Sequence, residues 1–122
     1  MKGFLYTILL FFILGCSNNQ NKYSGIFPKE KMQAVMWDII GAEVFTEQFI
    51  KKDSLKNPLI ENMQLQNKIF AIHKITRLDF YKSYDYYLAH ADQMRIILDS
   101  ITAKAERDRT KMVEKHYNKK PE

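Results

Sequence analysis

The sequence predicts an all-α fold, a small domain of three or four helices. Three observations point there. After residue 28, apolar residues recur at intervals of three and four, the spacing that lines one face of a helix. Helix-start signals punctuate these stripes: Pro28, Asn57-Pro58 and Thr76-Arg77-Leu78-Asp79. No stretch alternates polar and apolar residues with a period of two, so no sheet is expected.

The first helix opens at Pro28, where a missing N–H costs nothing in a first turn. Met32, Val35, Met36, Ile39 and Ile40 form its stripe, and Phe45, Phe49 and Ile50 extend it. Gly41 costs about 1 kcal/mol relative to Ala inside a helix and reads as the mark of a close helix contact. The helix should end near Lys51 or Lys52, whose charges suit a helix C-terminus. Residues 53–57 connect to a second helix with Asn57 as N-cap and Pro58 in its first turn. Leu59, Met63, Gln66, Phe70 and His73 share a stripe there, with Leu65, Ile69 and Ile72 beside it. Lys74-Ile75 breaks the pattern. Residues 76–79 resemble a capping box, with Asp in place of the usual Glu or Gln. Phe80, Tyr84, Tyr87 and Leu88 then define a short third helix. After a break over residues 89–92, Met94, Ile97, Leu98, Ile101 and Ala105 define a fourth. Beyond Ala105 the stripe fades into a run of both charge signs that reads as a solvated extension.

Composition bounds the rest. The chain has 122 residues, 46% hydrophobic and 27% charged, with a formal charge of +5. That is one small domain. One Cys excludes an intramolecular disulfide framework and a four-Cys zinc site.

The N-terminus reads as an address. Lys2 is followed by an apolar run over residues 4–14, too short to cross about 30 Å of hydrocarbon. Gly15 and the sole cysteine, Cys16, close it. Ile13-Leu14-Gly15-Cys16 resembles a bacterial lipobox, the site where a lipoprotein signal peptidase cuts before Cys. The resemblance implies a cleavage site formed by Ile13, Leu14 and Gly15, and a mature chain starting at Cys16. It also implies acyl groups, palmitate among them, on the sulfur and amino group of Cys16. The competing reading is a core cysteine or a catalytic thiol, which would need a base held beside it. The polar run Ser17-Asn18-Asn19-Gln20-Asn21-Lys22 after Cys16 reads instead as a tether. The expected organisation is a signal peptide at 1–15, acylated Cys and tether at 16–25, a helical domain at 26–105 and a charged extension at 106–122. Membrane lipid, held through Cys16, is then a partner.

Two stretches carry a wider resemblance. One is Phe27-Pro28-Lys29-Glu30-Lys31-Met32, with Asp38 further along. The other is Ile75-Thr76-Arg77-Leu78-Asp79-Phe80-Tyr81-Lys82-Ser83-Tyr84-Asp85-Tyr86-Tyr87 with His90-Ala91-Asp92. With the lipobox, the chain resembles a family of short lipoproteins of Bacteroidota known as a domain of unknown function. Its members show a Phe…Ser…Tyr-Tyr…His-Pro-Glu pattern; here Ala91 and Asp92 replace the last two. The resemblance covers roughly residues 26–105. It implies a helical envelope lipoprotein and carries no catalytic residues.

Candidate site residues follow. Phe80, Tyr81, Tyr84, Tyr86 and Tyr87 lie within eight positions and read as a partner-binding surface, as a core stripe with hydroxyls at its rim, or as the wall of a ligand pocket. His73, His90 and His116 match no metal-ligand spacing, and no metal or cofactor is expected. Asp38, Glu43 and Glu47 read as solvated charge or inter-helix hydrogen bonds, with Asp38 the one singled out. From Lys104 to Glu122 seven basic residues face four acids, and alternating signs describe a solvated helix more than a nucleic-acid arm. No glycine-rich phosphate loop and no nucleophile elbow is present.

The functional expectation is a non-enzymatic lipoprotein on the periplasmic face of the outer membrane. It would serve as an accessory or scaffold subunit with an envelope-protein partner. The periplasmic side rests on resemblance, since surface-export signals in Bacteroidota lipoproteins carry acids soon after Cys and residues 17–21 carry none. The alternative is a chaperone-like peptide-binding module, prompted by the aromatic helix and by Met32, Met36, Met63 and Met94.

Overall fold

The computed structural model describes residues 25–119. Among the described residues there are four α-helices and no strand. They are α1 (Lys29–Gln48), α2 (Pro58–Ile72), α3 (Arg77–Ala89) and α4 (Ala91–Tyr117), with a 3-10 turn at Ile50–Lys52 after α1. The all-α fold predicted from the periodicity is the fold observed.

The ends of the helices follow local chemistry. The Pro28 carbonyl accepts from Met32 N–H at 2.9 Å and opens α1 without a side-chain cap. Asn57 caps α2 through its side-chain oxygen, which accepts from the N–H groups of Leu59 and Ile60. Thr76 and Asp79 form both halves of a capping box on α3, so Asp serves where Glu is usual. The Thr76 hydroxyl accepts from Asp79 N–H at 3.0 Å and donates to the Asp79 carboxylate at 2.6 Å. His90 ends α3 and starts α4 in one residue, which places the expected break.

α1 is the central helix, packed against α2, α3 and α4. Asn62 near the start of α2 bonds Glu43 and Thr46, whereas His73 at its end bonds Asp38, so α1 and α2 run antiparallel. The core joins Met32, Val35 and Met36 of α1, Ile69 and Phe70 of α2, Phe80 and Tyr87 of α3, and Met94, Ile97 and Ile101 of α4.

Four expectations are corrected. The core uses only the first half of α1; Ile40, Phe45 and Phe49 are exposed, because α3 and α4 cover α1 mainly around Met32 to Met36. Gly41 marks no close contact, since a Cβ there would meet nothing within 4 Å. α2 turns Asn62, Ile69 and Phe70 inward and leaves Leu59, Met63 and Ile72 exposed. On α3 and α4 the predicted Leu88, Leu98 and Ala105 are likewise exposed, and Ser83 takes an inward place instead. The chain past Ala105 is helical to Tyr117, with nearly every side chain exposed. Lys104 to Asp108 is an i, i+4 ion pair at its root, and Lys, Arg, Glu and Met are good helix formers.

Candidate functional site

The segment before α1 is held to α3 by its backbone. Phe27 N–H donates to Ser83 Oγ at 3.0 Å, and the Tyr87 hydroxyl donates to the Phe27 carbonyl at 2.7 Å. Ser83 Oγ in turn donates to the Asp79 carbonyl at 2.9 Å. Both backbone polar groups of Phe27 are thus satisfied by one face of α3. Burial, with Tyr86 and Glu30 adding to it, pushes the Tyr87 phenol above its ordinary value. This clamp fixes the approach to α1: Phe27 lies beside Ser83 and Tyr87 of α3.

The clamp also explains the sequence pattern. Phe27 belongs to one quoted stretch; Phe80, Ser83 and Tyr87 belong to the other. Phe80 supplies core, and Ser83 and Tyr87 hold Phe27. Ser83 is fully buried. Periodicity alone missed it, because a hydroxyl at an inward position looks like a gap in the stripe.

The aromatic cluster accordingly divides. Phe80 and Tyr87 are core residues and give no surface to a partner. Tyr84 and Tyr86 are half-buried against the core, and Tyr81 is exposed. Phe80 stacks on Tyr84 with centroids 5.9 Å apart and meets Tyr81 edge-on at 5.2 Å. Tyr86 stacks on the His90 ring at 4.1 Å, and His90 Nδ1–H donates to the Tyr86 carbonyl at 2.7 Å. The available edge of α3 is therefore Tyr81 with exposed Leu78 and Leu88.

A second cluster lies on α1. His73 Nε2–H donates to Asp38 Oδ2 at 2.7 Å and ties the end of α2 to the middle of α1. Beside Asp38, Trp37 carries the Lys104 ammonium 4.6 Å above its ring. Lys104 also donates to Asp108 at 2.9 Å, and that hydrogen bond holds the Asp108 carboxyl below its usual range. An open depression here is lined by Glu30, Gln33, Trp37, Asp38 and Lys104. Asp38 and His73 were each visible as candidates in the sequence; their pairing was not, since 35 positions separate them. Glu43 accepts from Asn62 at 2.9 Å, and Glu47 pairs with Lys51. Among the described residues no three His, Cys, Asp or Glu side chains converge as a metal site would require. His116 lies exposed near the end of α4. Cys16 and its flanking Ile13, Leu14 and Gly15 lie outside the described residues.

These features define a small helical domain whose N-terminal segment is clamped to its third helix. The chain belongs to the family described as a domain of unknown function (DUF4296), which matches residues 23–111. No curated protein and no solved structure matches it.

Proposed function

We propose that this chain is a lipid-anchored protein of the bacterial envelope, of Bacteroidota origin, and that its helical domain is a non-enzymatic accessory or scaffold subunit. The observation that carries the reading is the order of the N-terminus: one Lys, an apolar run over residues 4–14, Gly15 and Cys16, then a polar tether leading into a domain clamped at Phe27. Acylated Cys16 holds the protein on the periplasmic face of the outer membrane, since several acyl chains give durable anchoring where one is marginal. Among the described residues no helix is long and apolar enough to cross a membrane. The edge of α3 at Leu78 and Tyr81 faces an envelope-protein partner. Met32, Met36 and Met94 are buried, so three of the four methionines behind the chaperone alternative are core.

Metabolic labelling with a palmitate analogue tests the anchor. The full chain should take up label and fractionate with outer membrane, and Cys16→Ser should do neither. Unlabelled wild-type protein would overturn the reading. Protease added to intact cells should leave the domain whole; digestion would place it on the cell surface. Envelope proteins retained by the wild-type chain should be lost with Leu78→Ala/Tyr81→Ala, and retention unchanged would remove α3 as the partner surface.

A further inference from the structure

The main apolar core thins out along the α1–α2 hairpin. On α1 its buried residues end at Met36, with Ile39 and Ala42 packed against them, and on α2 they begin at Ile69. The rest of the hairpin is joined by Ile50, buried at its turn, and by polar groups. Asn62 donates to Thr46 at 3.0 Å and to Glu43 at 2.9 Å, and accepts from Gln66 at 2.8 Å. α3 is 13 residues long; it packs on α4 and α1 and meets α2 near its end, with Phe80 against Phe70 and Arg77 donating to Asn67.

This uncovered half presents Ile40, Val44, Leu59, Ile60 and Met63, each 41% to 70% exposed. Leu59 lines one open depression with Glu43, Glu47, Lys51 and Asn62. Met63 stands one turn along α2 from Leu59. Ile40 and Val44 stand beside Glu43 and Glu47 at helical spacing on α1. Single exposed apolar residues need no explanation, but a group of this size on one side of a two-helix ribbon marks a contact surface.

We propose that this half-hairpin pairs with the same half-hairpin of a second copy to complete a four-helix bundle. Two helices with an uncovered apolar side lack two more, and a two-fold-related copy supplies them in one self-complementary contact. The charges suit a like partner. Glu47 pairs with Lys51 within the chain, which leaves Glu43 on the α1 side and Lys52 and Lys56 in the turn beyond it, where Asp53 is the one acid. An antiparallel two-fold sets the basic turn of each copy beside Glu43 of the other, so one face provides both signs. Five aliphatic side chains with this charged rim are on the scale of the roughly 800 Å² each partner buries in a standard interface.

Site-directed cross-linking of the full chain in the envelope tests this. Met63→Cys, treated with a short bis-maleimide, should give a band at twice the chain mass, and Tyr117→Cys at the far end of α4 should give none. Adding Val44→Asp and Leu59→Asp to Met63→Cys should cut the dimer about tenfold, the effect of about 1.4 kcal/mol lost from an interface. Both substitutions are at exposed positions, so circular dichroism should show the helices retained. A Met63→Cys chain that stays monomeric, or that cross-links to a protein of another mass, overturns the pairing. Dimer undiminished by the two Asp substitutions overturns it as well. The result is separable from the lipid anchor: acylation removes the Cys16 thiol, so a cross-linked band in the wild-type chain would speak against the anchor alone.

Discussion

Tyr87 puts its ring in the core and its hydroxyl on the Phe27 carbonyl. Its proton is therefore held more tightly in the folded chain than in the unfolded one, and the phenol is raised. A raised group contributes stability that is fully present below its unfolded value, about 10 for Tyr, and is lost as pH rises through the folded value. Stability should therefore fall above about pH 10, and Tyr87→Phe should flatten that fall. At neutral pH the same variant should lose about 1 kcal/mol, the worth of one hydrogen bond. Urea unfolding at several pH values checks both, and parallel pH curves for the two proteins would refute the assignment. Single residues also show where hydropathy misleads. Ile72 sat beside the predicted stripe but is exposed, whereas Asn62 is buried with three partners. Ile72→Ala should be near neutral. Asn62→Ala should cost about 1–3 kcal/mol, because it removes a buried side chain and the three hydrogen bonds by which it joins Thr46, Glu43 and Gln66. Equal losses in denaturant midpoint would contradict this. A polar residue becomes legible as core only once its partners are known, and Asn62 and Thr46 are 16 positions apart.

At the scale of elements, most starts were legible because caps are local chemistry. Asn57-Pro58 and Thr76…Asp79 each place a side-chain oxygen two or three residues from the N–H it accepts. The end of α2 was less so. Lys74 adopts φ of +52°, with its N–H on the Ala71 carbonyl and Ile75 N–H on the Phe70 carbonyl. That is the left-handed helix stop at which glycine is preferred. A lysine there gave the sequence no stop signal beyond a break in the stripe. Lys74→Gly should relieve the left-handed strain and raise stability by about 0.5–1 kcal/mol. Thr76→Ala, two residues on, should remove the α3 cap and cost about 1 kcal/mol. Thermal melts of the pair would check the signs; Lys74→Gly destabilising the chain would show that the lysine side chain holds the turn. Gly41 gives the converse case. With open space at its Cβ, Gly41→Ala should stabilise α1 by up to about 1 kcal/mol.

Across the whole molecule, stability is concentrated at one end. The Phe27 clamp, α3, the first half of α1 and residues 94–101 of α4 surround the same core. α4 runs on to Tyr117 well beyond its last core residue, Ile101. An isolated helix shorter than about 12–15 residues is marginal in water, so the outer part of α4 persists chiefly because the packed part nucleates it. Its amides should exchange with solvent far faster than those of residues 94–101, in a gradient rising toward Tyr117. Removing the chain from Glu106 onward should lower helical ellipticity but shift Tm by less than about 2 °C, since no core contact is lost. The Lys104–Asp108 pair is surrendered in that deletion, and a half-exposed pair is worth little. A drop in Tm of more than about 5 °C would mean that the outer helix packs on the domain or on a second copy. The same deletion, made in the full chain carrying Met63→Cys, should leave the proposed cross-link intact; its loss would assign the contact to the projecting helix instead of the exposed half of the α1–α2 hairpin.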